Sequence, residues 1–141
     1  MSESGALVLH RAARSEALAP RDEAGRARTS TWVIAALNSI EPPAQNLVEL
    51  DAFHAGEVWA QERRPQAAAM LEGRLAALAG WLGGKDYLEA RFTAAAPLMT
   101  PVLRAPLTRA APAPFPALDP HPPRSDDTPP SAHAVARPLP R

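Results

Sequence analysis

Three side chains with metal-binding chemistry lie near one another in the sequence. Asp51, His54 and Glu57 are spaced at i, i+3 and i+6, and carboxylate and imidazole groups are common ligands of divalent metals. On a helix, a six-residue separation places Asp51 and Glu57 far apart around the axis, so the three groups fit one ion poorly. The spacing favours an exposed polar face, and we expect no metal site and no bound cofactor.

Capping residues indicate where the first helices begin. Ser4 is a suitable cap for a helix that runs to about Arg14, because its hydroxyl can accept a bond from a first-turn amide. Asp22 is a suitable cap for a second helix, which should extend over residues 22–40. Pro42 and Pro43 should then kink or restart the chain, since proline has no amide hydrogen to donate.

A leucine stripe predicts the longest helix. We expect this helix from Pro65 to Leu82, because proline at the first position loses only an amide that has no partner. Gly83 and Gly84 should end it. The leucines fall at i, i+4, i+7 and i+11, which is the spacing of one buried face: Leu71, Leu75, Leu78 and Leu82. With no segment of period two, residues 1–90 are predicted to be all-α in an antiparallel arrangement.

Composition excludes several classes of protein. The 141-residue chain has no cysteine, which removes disulfides, thiolate ligands and cysteine nucleophiles. Its net charge of zero gives no argument for nucleic acid as a partner. No apolar run approaches the roughly 18 residues of a membrane span, and the acidic N-terminus is unlike a signal peptide. We therefore expect a cytoplasmic protein.

Proline content changes sharply along the chain. Residues 1–90 contain 4 of the 17 prolines, whereas residues 91–141 contain 13. A segment with so much proline cannot bury enough apolar surface to offset the entropy lost when it becomes ordered. Residues 105–141 are therefore predicted to form a disordered, proline-rich tail.

Several stretches, taken in order, resemble a bacterial cytosolic glutathione S-transferase. They are Glu3-Ser4-Gly5-Ala6, the Arg26–Trp32 run, Trp81-Leu82 to Asp86-Tyr87-Leu88, and Arg91-Phe92-Thr93-Ala94-Ala95. The resemblance covers about residues 3–104. It implies that residues 1–14 are the last helix of a thioredoxin-like domain and that residues 15–104 form the family's C-terminal helical bundle.

The resemblance also implies a glutathione site. In that family the Glu-Ser pair holds the γ-glutamyl end of glutathione, which assigns this role to Glu3 and Ser4. The chemistry is reasonable, because a helix N-terminus attracts the γ-glutamyl carboxylate and the Glu3 side chain can pair with the ammonium group. The alternative is that Ser4 only caps the helix. Trp32, Leu37 and Ile40 are candidates for the electrophile pocket, although such a stripe more often belongs to a core.

No catalytic residue is predicted in this chain. The family's activating Tyr, Ser or Cys lies in the thioredoxin-like domain, and the sequence begins two residues before the Glu-Ser pair. The glutathione thiolate needs a positioned donor, which no residue here is expected to supply. Tyr87, the one tyrosine, corresponds to a structural turn of the family and is expected to pack in the core.

The family pattern fails near Ala96. The family has aspartate at this position, where it completes the capping box that begins at Thr93. Losing such a contact costs about 1 kcal/mol. Pro97 and Pro101 then fall inside the next helix, at about 3 kcal/mol each. The sequence predicts that this helix does not survive intact and that the chain is a truncated family member.

Three functions remain open at this stage. The first is conjugation of glutathione to electrophiles, with the missing domain supplied by a partner or a longer gene product. The second is a non-enzymatic helical module that binds a partner or an apolar ligand. The third is a degenerate or frameshifted fragment, since proline, alanine and arginine codons are GC-rich. The resemblance also makes a homodimer possible.

Overall fold

The computed structural model describes residues 3–109 together with Phe115 and Leu118; for residues 105–109 it describes the backbone alone. This part of the chain contains no strand and forms five α-helices. These are α1 (Ser4–Ala12), α2 (Glu23–Ala35), α3 (Glu41–Phe53), α4 (Val58–Leu82) and α5 (Ala96–Arg109), with a π-helical turn at Ala36–Ile40. None of these helices combines the length and the apolar character of a membrane span. The predicted all-α bundle is confirmed.

The starts of the first two helices show one wrong and one correct prediction. Ser4 is the first helical residue of α1, and Glu3 stands at the cap position without a side-chain capping bond. The predicted Ser4 cap is therefore wrong, and α1 ends at Ala12 instead of Arg14. The Asp22 cap of α2 is confirmed, because its Oδ1 accepts a hydrogen bond of 2.7 Å from the Gly25 amide.

The two adjacent prolines do not break the chain. The π-helical turn joins α2 directly to α3, which restarts at Glu41. Pro42 and Pro43 are therefore the second and third residues of α3, and neither can donate a hydrogen bond back to a carbonyl of the π turn. The predicted restart is correct, and the five-residue π turn accommodates it without a gap between helices.

Helix α4 begins seven residues before the predicted start at Pro65. It starts at Val58, so Pro65 lies inside the helix, on its exposed side. Ala60, only 2% exposed, fixes the first turn against the core. The predicted end is correct, since Gly83 has a φ of +52°. The four stripe leucines are all at most 4% exposed, as predicted: Leu71, Leu75, Leu78 and Leu82.

Helix α5 is intact, so the predicted disruption beyond Ala96 is wrong. Met99 and Leu103 are completely buried, whereas Pro97 and Pro101 lie on the exposed side of the helix. Pro97 is the second helical residue, where no hydrogen bond is lost. Pro101 loses one bond, because it has no amide hydrogen to donate to the Pro97 carbonyl. Burial of the opposite side offsets this cost.

The predicted tail boundary also moves. Residues 105–109 continue α5 instead of beginning the tail. Of the remaining residues, only Phe115 and Leu118 are described, and the other residues of the predicted disordered tail lie outside the described part. Leu118 is fully buried in the hydrophobic core, and Phe115 packs against that core. The core therefore receives a side chain from a proline-rich segment.

The helices pack into one bundle. Helix α3 contacts both α4 and α5, and α1 contacts α2. The π-helical turn contacts α4 and α5 as well as the two helices that it joins. This turn therefore lies at the centre of the packing, and its residues reach surfaces on different sides of the bundle.

Candidate functional site

A cleft opens at the N-terminus of α1, and we call it the α1 cleft. Its volume is about 460 Å³, which is within the usual range of small-molecule sites. It is lined by residues of α1, α2, the π-helical turn and α3: Glu3, Ser4, Gly5, Ala6, Leu9, Val33, Ile34, Leu37, Asn38 and Glu41. The two residues assigned to glutathione by resemblance therefore share a cleft with one of the three assigned to the electrophile.

Gly5 brings the start of α1 close to the π-helical turn. A Cβ atom at this position would lie 2.7 Å from Leu37 Cδ1 and 3.8 Å from Val33 Cγ1. The shorter distance is below any normal carbon contact, so the flexible end of the Leu37 side chain would have to shift to admit a larger residue. Gly5 therefore lets the Leu37 side chain pack against the backbone at the start of α1, beside Glu3 and Ser4.

The polar groups at the start of α1 are free to meet a ligand. The first intrahelical bond of α1 is donated by the Leu7 amide to the Glu3 carbonyl, at 3.0 Å. The amides of residues 4–6 precede it and have no helical partner. Within the described residues, the exposed side chains of Glu3 and Ser4 form no hydrogen bond or ion pair. The cleft thus offers donors for a carboxylate and a carboxylate for a cation.

Asn38 and Glu41 complete the polar lining, and sequence reasoning missed both. They follow Ile34 at i+4 and i+7, which is the spacing of one helical face. That spacing was the available signal. It places a second carboxylate, from Glu41, in the same cleft as Glu3.

The three candidate electrophile residues line two different cavities in the described part of the chain. Leu37 lines the α1 cleft, whereas Trp32 and Ile40 line a separate cavity of about 200 Å³. We call this the Trp32 cavity, and it is formed by Trp32, Ala35, Ser39, Ile40, Arg74, Ala77, Leu78 and Met99. Sequence reasoning missed Arg74, because only the packing of α4 against the π-helical turn brings it to this surface.

A buried carboxylate fixes the Trp32 ring. Glu89 accepts a hydrogen bond of 3.0 Å from Trp32 Nε1 and one of 2.6 Å from Arg28 Nε. The Glu89 side chain is only 6% exposed. The hydrogen bond to Glu89, with its negative charge, raises the pKa of Arg28 above its usual value. These hydrogen bonds connect two stretches that carried the family resemblance, the one around Trp32 and the one just before Glu89.

Trp81 supports the Trp32 ring from α4. The two ring centroids lie 5.3 Å apart at an interplanar angle of 48°, a separation at which aromatic pairs attract. Trp81 Nε1 donates a hydrogen bond of 2.9 Å to the Leu88 carbonyl. Lys85 Nζ lies 4.4 Å from the Trp81 ring centroid, which is a cation–π contact. Trp32 is thus held by both its nitrogen and its ring face.

The residues considered for metal binding form separate pairs. Asp51 accepts two hydrogen bonds from Arg64, at 2.6 and 2.9 Å. His54 Nδ1 lies 2.8 Å from Glu57 Oε1. The bond from His54, followed by one from Trp59, lowers the pKa of Glu57. Over residues 3–109, no three such side chains gather in a way that could hold a metal ion.

Tyr87 lies in the turn between α4 and α5. It is half-buried, and its ring meets that of Phe92 edge to face, with centroids 5.9 Å apart. Tyr87 does not line the α1 cleft. This packing agrees with the structural role expected for it from the sequence.

The fold is that of the helical part of a glutathione transferase. A glutathione transferase from Burkholderia graminis, with two glutathione molecules bound per subunit, is 25% identical to this chain, with a TM-score of 0.71. The match covers 98% of this chain and 57% of that one. A glutathione transferase family member from Pseudomonas fluorescens, with two glutathione bound, is 24% identical, with a TM-score of 0.69, over 96% of this chain and 59% of its own.

These comparisons confirm the predicted resemblance at the level of the fold. The chain spans less than two thirds of the length of either solved structure. Its sequence matches no protein-family model and no curated protein.

Proposed function

We propose that this chain is a glutathione-transferase-like protein that binds the γ-glutamyl end of glutathione in the α1 cleft. The observation that carries this proposal is the absence of side-chain capping at the start of α1. The competing explanation for Ser4 was a capping role, and the Ser4 hydroxyl is not used in that way. Two polar side chains and the amides of residues 4–6 are therefore available to a ligand.

The chemistry of the cleft matches a γ-glutamyl group. This group carries an α-carboxylate and an α-ammonium on the same carbon. The free amides of α1 and the Ser4 hydroxyl can donate to the carboxylate, which the helix dipole also favours. Glu3 and Glu41 can accept from the ammonium group. The apolar wall of Leu9 and Leu37 can contact the less polar part of the tripeptide.

Conjugation of glutathione to an electrophile is part of this proposal. In the described part of the α1 cleft, the one hydroxyl is Ser4, which is occupied at the γ-glutamyl end. The donor that lowers the thiol pKa must therefore come from outside these residues. Of the three electrophile candidates, we propose that Leu37 contacts the electrophile in the α1 cleft, whereas Trp32 and Ile40, which line the Trp32 cavity, do not take part in conjugation. A cytoplasmic location belongs to the same proposal.

Calorimetric titration of glutathione into the full chain tests the binding site. Ser4→Ala and Glu3→Gln should each weaken binding by about 3- to 10-fold, which is the usual effect of one lost hydrogen bond. Ser30→Ala and Glu62→Gln are matched controls, since neither residue lines the cleft. Cysteinylglycine lacks the γ-glutamyl group and should not bind. Equal binding of cysteinylglycine and glutathione would refute the assignment.

A generic aromatic electrophile tests the activity separately. If the full chain binds glutathione but shows no conjugation above the uncatalysed rate, the proposed enzymatic role fails and the binding role remains. In that case the second candidate, a non-enzymatic binding module, is favoured.

Two exposed apolar residues support the binding-module candidate. Leu7 of α1 is 41% exposed and Ile34 of α2 is 50% exposed. Paired helices with exposed apolar side chains are suited to a protein partner or to a second copy of the chain. Sedimentation of the full chain over a range of concentrations tests the homodimer. Leu7→Ser with Ile34→Ser should shift a dimer to monomer, whereas a wild-type monomer at all concentrations would exclude it.

A further inference from the structure

The Trp32 cavity is an apolar site with one positive charge. Its floor is formed by Ile40 and Leu78, each 4% exposed, and by the completely buried Met99. The polar groups at its edge are the Ser39 hydroxyl and the Arg74 guanidinium. Within residues 3–109 neither forms a hydrogen bond or an ion pair. Both groups are therefore free to meet a ligand.

The Trp32 cavity is half-open and has room for a single ring. The cavity measures about 200 Å³, and an engineered apolar cavity of about 150 Å³ in another protein holds benzene. There is therefore room for one six-membered ring with a small substituent. A tripeptide such as glutathione is too large for this space.

The Trp32 ring favours an aromatic ligand. Glu89 holds the indole nitrogen and Trp81 contacts the ring, so the cavity wall has little freedom to lose on binding. Aromatic pairs gain attraction beyond that of the area they bury.

Arg74 selects the charge of the ligand. Its guanidinium can form two parallel hydrogen bonds with a carboxylate, which gives direction as well as attraction. The Glu89 carboxylate beneath Trp32 is already paired with Arg28 and with the indole, so it does not neutralise Arg74. No acidic residue lines the cavity.

We propose that the Trp32 cavity binds small monocyclic aromatic carboxylates. The ring lies against Trp32 and Leu78, and the carboxylate accepts hydrogen bonds from Arg74 and Ser39. This site goes beyond the proposed glutathione function and does not depend on it. A ligand there contacts the π-helical turn through Ser39 and Ile40, on the side away from Leu37.

Titration of the full chain with benzoate tests the proposal, with benzyl alcohol as the neutral probe of equal ring size. Tryptophan fluorescence and calorimetry report binding. Benzoate should bind at least about ten-fold more tightly than benzyl alcohol, because only benzoate can form two charge-assisted hydrogen bonds with the guanidinium. Arg74→Met should remove that preference, while benzyl alcohol binding stays unchanged. Arg63→Met, an exposed substitution on the same helix outside the cavity, is the matched control.

Three results would overturn the proposal. They are equal binding of benzoate and benzyl alcohol, equal effects of Arg74→Met and Arg63→Met, and competition between glutathione and benzoate for one site. The glutathione titration remains a separate measurement. Glutathione binding that persists in Arg74→Met separates a failure at the Trp32 cavity from a failure at the α1 cleft.

Discussion

Replacing Pro101 by alanine should stabilise the protein. Pro101 is the sixth residue of α5 and cannot donate a hydrogen bond to the Pro97 carbonyl. Proline inside a helix is about 3 kcal/mol less favourable than alanine. Alanine also makes the unfolded chain more flexible, which reduces the gain by about 0.4–1 kcal/mol. Because Pro101 is exposed and its ring fills no core space, we expect a net increase of about 2 kcal/mol in the free energy of unfolding.

Urea unfolding followed by far-UV circular dichroism measures this gain. For small proteins the free energy falls by about 1–3 kcal/mol per molar urea, so the midpoint should rise by about 1 M. Pro97→Ala is the matched control, because Pro97 is the second residue of α5 and its missing amide has no partner. The midpoint of this control should not rise. Equal shifts in the two variants, or a lower midpoint for Pro101→Ala, would refute the argument from helix position.

Three further substitutions test other parts of the structure. Asp22→Ala removes the 2.7 Å capping bond to Gly25 and should lower the free energy of unfolding by about 1 kcal/mol in the same assay; an unchanged midpoint would show that the cap is not formed. Leu75→Ala, at a completely buried position, should cost about 2–5 kcal/mol, and a loss below 1 kcal/mol would mean that this position is not in the core. The pKa of Glu57 is lowered by its bonds from His54 and Trp59. The contribution of these bonds to the free energy of unfolding is therefore present above the unfolded-state pKa, and it is lost as the pH falls through the lower folded-state pKa. The Trp59 indole N–H resonance should shift over that range in the wild type and stay constant in Glu57→Gln; a shift that persists in the variant would contradict the assignment.

Features set by local chemistry were predictable from the sequence. The leucine stripe of α4, the Asp22 cap and the left-handed Gly83 each depend on spacing within one helix or on the preference of one residue type. The same reasoning correctly brought Glu3 and Ser4 to the start of the first helix. It failed to show that neither side chain caps this helix, because capping depends on atomic distances that residue types do not determine.

Proline positions were predicted less well, for a physical reason. The sequence-based argument treated Pro65, Pro97 and Pro101 as residues that begin or break a helix. In the structure all three lie on exposed faces, where water can bond the freed carbonyls and burial of the opposite face supports the helix. Whether a face is buried depends on neighbouring helices, which a single stretch of sequence does not reveal.

The grouping of the candidate site residues could have been predicted from helical spacing. At about 100° per residue, Trp32 and Ile40 lie about 80° apart around a helix, whereas Trp32 and Leu37 lie about 140° apart. The structure accordingly places Leu37 in the α1 cleft and both Trp32 and Ile40 in the Trp32 cavity. Which helices pack against each face still had to come from the structure.

The π-helical turn gives this region a tolerance to deletion that regular helix lacks. A π turn holds one residue more than an α turn over about the same rotation. Deleting one residue of Ala36–Ile40 should therefore restore regular helix while α3 keeps nearly the same face toward the core, with Leu47 and Leu50 still buried. In the regular parts of α2 and α3, each deleted residue would instead turn the following chain by about 100°. Chain length is therefore constrained less strictly in these five positions than in the helices on either side.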